Sequence, residues 1–152
     1  MSDKTKVGII SCSGEELCEG TISRLAARRV LEQLRPDKTV TICLPLFLAG
    51  GEEERAFARN FPTITVDGCA KCCAKRGTEA HSGPVTKSLI VPEILGQTEP
   101  LSGERSCSKL TARDLAAVDR VAEEIARQVD LVLERSGAEA TNAACGAVAN
   151  RA

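Results

Sequence analysis

Four short apolar runs, set apart by helix-patterned segments, constrain the fold of this chain more than any other feature. They are KVGIIS (6–11), TVTICL (39–44), TITV (63–66) and SLIV (88–91). Each is rich in β-branched residues, and the only charge among them is Lys6 at the start of the first, as expected of strands buried on both faces. Between them lie segments with apolar residues at helical spacing. In GTISRLAARRVLEQL, Ile22, Leu25, Ala26, Val30 and Leu34 share one face. Thr21 is placed to cap that helix, and Pro36 stops it. GEEERAFARNF reads as a short helix with acidic residues in its first turn, ended by Pro62. CAKCCAKRG can make one or two helical turns closed by Gly77. The longest helix is expected from Thr111 to about Glu134, opened by a Thr111–Asp114 capping box. Its inner stripe is Leu115, Val118, Ala122, Ile125, Val129 and Val132.

Strand and helix therefore alternate, which predicts an α/β three-layer sandwich. A short, mainly parallel sheet of about four strands, in the order 2-1-3-4, would carry helices on both faces. Residues 1–135 form a single α/β domain in this reading, and the Ala-, Gly- and Asn-rich residues 136–152 form a flexible tail. A length of 152 residues suits one domain with a real core.

Composition excludes several functions. A net charge of −1, three Phe and no Trp or Tyr leave neither a basic face nor a stacking platform for nucleic acid. No apolar run approaches the roughly 18 residues of a membrane span. The start, MSDKTKVGIIS, does not read as a signal peptide, so a cytoplasmic location is expected. Cytosolic thiols stay reduced, and the eight cysteines are then better suited to metal or reactive chemistry than to disulfides. An isolated buried Cys, by contrast, is usually just a small hydrophobe.

The cysteines sit where such a fold places its ligands. Cys12 ends the first run, Cys43 lies near the end of the second, and Cys69 stands just past the third. In an open α/β sheet, ligands bind outside the carboxyl ends of the strands, where the strand order reverses. With the order 2-1-3-4, all three converge there. If CAKCCAKR is helical, Cys73 shares a face with Cys69 one turn away, and Cys72 lies close to that face. Four sulfurs from three strand–helix junctions can thus meet at one metal site. Lys71, Lys75 and Arg76 either offset thiolate charge or form a solvated face. Cys18 and Cys107 are weaker candidates that could reach the site from loops, and Cys145 falls in the tail. His81, the lone His, is read as a solvated loop residue. Asp67 is expected to cap the following helix, and Gly68 to allow a tight turn or close approach. Ser11, Ser13, Glu15 and Glu16 flank Cys12 and can supply hydrogen bonds. The spacing of Gly14 and Gly20 fits no phosphate loop.

Asp67-Gly68-Cys69, followed by Cys73-Ala74-Lys75, resembles the DGCxxxCAK pattern of the DGC-domain family. Cys12, in Cys12-Ser13-Gly14, looks like that family's first cysteine and Cys43 like its second, and the resemblance covers about residues 5 to 95. It implies zinc held through Cys12, Cys43, Cys69 and Cys73, with no settled reaction, and leaves Cys72 outside the pattern. Three chemistries remain open. A closed four-thiolate Zn²⁺ site would serve structure, metal storage or trafficking. A [4Fe–4S] cluster could use the same cysteines. A Cys69–Cys72 redox pair would make a thiol-redox or sulfur-transfer enzyme. An adaptor module without metal is the bland alternative. Protein partners and oligomeric state are not legible.

Overall fold

The computed structural model describes residues 5–14, 17–97 and 107–148, with side chains as far as residue 138. Four strands, β1 (Val7–Ser11), β2 (Thr39–Thr41), β3 (Thr63–Asp67) and β4 (Lys87–Ile90), form one sheet in the order β2-β1-β3-β4. Every pairing is parallel. The expected α/β class and strand order are thus both found. β2 is shorter than its apolar run: pairing stops at Thr41, so Cys43 lies beyond the strand.

Side chains alternate across the pleat, and each face has its own cover. Val7, Ile9, Ile64, Val66 and Leu89 pack under α1 (Cys18–Arg29) and α7 (Ala112–Val148). Ile10 faces the other way, toward Phe47, Phe57 and Ala74. These come from α2 (Leu46–Ala49), α4 (Phe57–Asn60) and α5 (Cys73–His81). Between α2 and α4 lies α3 (Glu52–Arg55), so the single helix expected over GEEERAFARNF is split at Ala56. A short α6 (Val91–Leu95) follows β4 directly.

Thr21 does not cap α1. The helix starts three residues earlier, and the Thr21 hydroxyl donates to the Gly14 carbonyl at 2.9 Å. α1 runs into a π-helical turn, Val30–Leu34, and ends before Pro36 as expected. There Arg35 makes a two-pronged ion pair with Asp130 of α7 (2.9 and 2.6 Å), which ties the approach to β2 onto the long helix. The Thr111–Asp114 capping box is present: the Thr111 N–H donates to the Asp114 carboxylate at 2.8 Å, and the Asp114 N–H to the Thr111 hydroxyl at 3.3 Å.

The inner stripe of α7 holds at Val118, Ala122, Ile125, Val129 and Val132, with Val121 and Ala126 added. Each fully buried large aliphatic chain contributes about 1.5–3 kcal/mol, so this stripe is a main source of stability. Leu115 departs from it and is 52% exposed. Helical backbone continues past Glu134 to Val148, consistent with the helix propensity of the Ala-rich stretch.

Candidate metal centre

Two clefts open at the carboxyl ends of the strands. The first, of about 250 Å³, is lined by Cys12, Cys69, Cys73, Lys71 and the backbone around Gly14, Gly20 and Gly68. The second, of about 300 Å³, lies over the ends of β1 and β2; Cys12, Cys43, Ser11, Ser13, Arg24 and Arg28 border it. Cys12 and Ser13 belong to both. The three cysteines placed at strand ends by sequence, Cys12, Cys43 and Cys69, and Cys73 beside them therefore border two adjoining clefts, with Cys12 as their common member.

The local folding of this corner follows from three glycines. Gly14 has φ +75, open to glycine at little cost. A Cβ added there would lie 2.4 Å from the carbonyl carbon of Gly20, and one on Gly68 would lie 2.4 Å from the Gly20 nitrogen. The loop after β1, the start of α1 and the turn after β3 thus touch backbone to backbone. That contact brings the Gly68 N–H to the Cys12 sulfur at 3.3 Å. On its other side Cys12 meets the Ser23 hydroxyl at 3.3 Å, and Ser23 in turn donates to the Gly20 carbonyl at 2.7 Å. Burial pushes the Cys12 thiol above its ordinary pKa, more than these two hydrogen bonds lower it; Asp67 and Cys69 push it further up.

Asp67 supplies the second half of the frame. It is buried, and its carboxylate accepts the N–H groups of Ala74 (2.7 Å) and Lys75 (3.2 Å). It thereby caps α5, as expected from sequence. Burial raises its pKa, against the pull of those two donors and of Lys75. The Asp-Gly-Cys triplet divides its work: Asp67 caps, Gly68 permits the backbone contact, and Cys69 faces the cleft. Replacing Asp67 with alanine (Asp67→Ala) leaves two helix-start donors without their acceptor. A loss of about 1–3 kcal/mol in urea unfolding is expected, with amide exchange at Ala74 and Lys75 accelerating first. Unchanged exchange at those two amides would refute the capping role.

The helical account of Cys69 and Cys73 needs correction. Cys69 lies outside α5, in a turn closed by the Cys72 N–H donating to the Cys69 carbonyl at 3.1 Å. Cys72 has φ 50, the left-handed region, and α5 begins only at Cys73. α5 also passes through Gly77 to His81 rather than ending at the glycine. Cys69 and Cys73 share the cleft because the chain reverses there, not because they are one helical turn apart. Cys72 lines neither cleft. Burial raises its pKa, Asp67 adds to the rise, and Glu93 of α6 is among its charged neighbours.

The remaining candidates separate clearly. Cys18 is 3% exposed and packs in the larger apolar cluster beside Ile22. Cys107 is half-buried ahead of α7 and borders neither cleft. The side chain of Cys145, and Glu15 and Glu16, lie outside the described residues. His81 is exposed at the end of α5, beside an apolar groove that Cys73 also borders. Lys71 lines the first cleft, whereas Arg76 is solvent-exposed. Ser23, Arg24 and Arg28 were not found by sequence reasoning. They reach the corner from α1, whose packing against β1 makes them neighbours of Cys12.

Among the described residues, no three Cys, His, Asp or Glu side chains stand close enough together to form a finished ion cage. The donor set nonetheless suits a soft divalent ion. The seven described cysteines are outside disulfides, and the four around the clefts include two exposed ones, Cys43 and Cys73, whose side chains are free to turn. Ordering such a side chain costs on the order of 1 kcal/mol, against about 10–16 kcal/mol for structural Zn²⁺ binding. Lys71 and Arg24 border the clefts, as does Arg28, which also pairs with Glu32; cations there would offset the charge of thiolates bound to an ion.

A parallel α/β domain with a cysteine-lined cleft at the carboxyl edge of its sheet is the class that fold and site define. The DGC domain family model matches residues 8–125, and the chain belongs to that family. The match reaches well beyond residue 95, so the first part of α7, as far as Ile125, belongs to the family's domain. No curated protein and no solved structure matches the chain. No helix among the described residues is long and apolar enough to cross a membrane.

Proposed function

We propose that this is a zinc-binding protein of the cytoplasm, holding the ion through Cys12, Cys43, Cys69 and Cys73 and serving metal storage or trafficking. The observation that carries this reading is the shared corner. Cys12, Cys69 and Cys73 border one cleft, and Cys12 with Cys43 borders the next. Family membership and the number of cysteines are compatible with metal binding. Four thiolates close a tetrahedral Zn²⁺ site and leave no position for a reacting water, which favours holding or passing the ion over hydrolysis. The protein's own groups do the rest. The Gly68 N–H and the Ser23 hydroxyl hold the Cys12 sulfur, fixing the one ligand common to both clefts.

An anaerobic preparation, examined by metal analysis and visible spectroscopy, tests the assignment. About one zinc per chain without colour is expected. Iron with broad visible absorption would replace zinc with a [4Fe–4S] cluster on the same cysteines. Binding must also release protons, because thiols bind metal as thiolates. With the Cys12 pKa raised by burial, that thiol is protonated at neutral pH and deprotonates only as pH rises. Zinc affinity is therefore expected to climb from pH 6 to pH 8 in a chelator competition. A flat profile would count against thiolate ligation as a whole.

A further inference from the structure

The turn between β3 and α5 carries a sulfur pair that the four-thiolate set leaves half used. Cys69-Ala70-Lys71-Cys72 is closed by the Cys72 N–H donating to the Cys69 carbonyl at 3.1 Å. A turn of this kind keeps its first and last Cα atoms within about 7 Å. Disulfides span Cα separations of about 4.4–6.8 Å. The backbone thus already holds Cys69 and Cys72 at bridging range. Both are half-buried rather than sealed, and Cys69 lines an open cleft through which a small oxidant can arrive. Cys73, the sequence neighbour, faces that cleft, whereas Cys72 lies outside it. Cys12 is engaged by Gly68 and Ser23. Cys72 is also the described non-glycine residue with positive φ, a conformation that costs about 1–3 kcal/mol and persists only where its surroundings impose it.

We propose that Cys69 and Cys72 are a site of reversible oxidation, forming a disulfide that withdraws Cys69 from the metal. The bond itself rests on the turn; its effect on the metal rests on the four-thiolate reading above. A small-molecule disulfide, RSSR, is the oxidant. The thiolate of one cysteine attacks one sulfur of RSSR, forming a mixed disulfide and expelling RS⁻. The thiolate of the other cysteine attacks the protein-side sulfur of that mixed disulfide and expels the second RS⁻. Two protein thiols give up two electrons and two protons, and the oxidant becomes two RSH. A metal that had four thiolates is left with three, and its release follows. Excess RSH reverses both steps and restores the ligand.

The test uses the full chain. The reduced, metal-free protein is exposed to oxidised glutathione, its remaining thiols are alkylated, and its peptides are mapped by mass spectrometry. A Cys69–Cys72 link that an excess of reduced glutathione removes is expected. In parallel, zinc-loaded protein is oxidised in the presence of a zinc indicator. The parent should release its ion at least tenfold faster than a Cys72→Ser variant. A link from Cys69 to Cys12 or Cys73, or no internal link, overturns the proposal. Equal zinc release by the parent and the Cys72→Ser variant overturns the gating. A chain that forms the link yet never binds zinc supports the disulfide and refutes the four-thiolate reading, so the two failures are told apart.

Discussion

Replacing Cys12 with serine (Cys12→Ser) is expected to weaken zinc binding by roughly a hundredfold or more, since loss of an outer-shell partner alone typically costs 10–100-fold. Cys12 is the most demanding of the four positions because it borders both clefts. It is also the one whose sulfur is held from both sides, by the Gly68 N–H and the Ser23 hydroxyl. A serine hydroxyl is shorter, harder and un-ionised at neutral pH, and a soft divalent ion prefers thiolate. Competition against a chelator of known affinity reads the loss. Cobalt substitution gives a second readout, since thiolate-to-cobalt absorption should fall as a ligand is removed. The same change at Cys18, which is buried in the apolar core, should leave stoichiometry intact and act on stability instead. Parent-like affinity in the Cys12→Ser protein would remove the common member of the ligand set and the convergence argument with it.

A large effect on stability is expected from Gly68→Ala. The added methyl would lie 2.4, 2.6 and 2.8 Å from Gly20 N, Gly20 Cα and Glu19 C. All three are backbone atoms in the first turn of α1, so no side chain can swing aside. Overpacking ordinarily costs 1–3 kcal/mol, and a clash with fixed backbone belongs at or above the top of that range. A loss of about 3–5 kcal/mol in urea unfolding of the metal-free protein is expected, a large share of a typical domain's total. Gly137→Ala provides the contrast. Gly137 lies on exposed helix with nothing within 4 Å of an added Cβ, and alanine there should gain about 0.5–1 kcal/mol. A Gly68→Ala protein within 1 kcal/mol of the parent would mean that the three-glycine contact is not what holds the corner together.

The sheet was legible because its evidence is local. Four β-branched runs, separated by helical patterns, leave few arrangements other than a covered parallel sheet, and the order β2-β1-β3-β4 follows. The strand-end positions of Cys12, Cys43 and Cys69 could be read for the same reason. What escaped depends on conformations that a pattern does not encode. Cys72 in the left-handed region turns the chain, so Cys69 stands before α5 instead of within it. α1 begins early because Gly14 and Gly20 meet, which takes Thr21 out of the cap position and points its hydroxyl at Gly14. Cys18 sits one turn from apolar Ile22, and burial on that face outweighs any reach toward the cleft. Ser23, Arg24 and Arg28 carry no sequence signal for the site, since helix packing alone delivers them to it.

The strand order has a consequence for how the chain reaches its native state. β1 lies between β2 and β3, so Cys12 gains Cys43 on one side and Cys69 on the other through two separate crossovers. Each crossover must close a long loop before any contact rewards it, which makes parallel pairing a slow step. During synthesis the amino-terminal strand waits for residues up to 73 to leave the ribosome before its cysteine has a full set of neighbours. The cysteine-lined corner therefore forms only after both crossovers have closed, and it is independent of β4, which joins the far edge of the sheet.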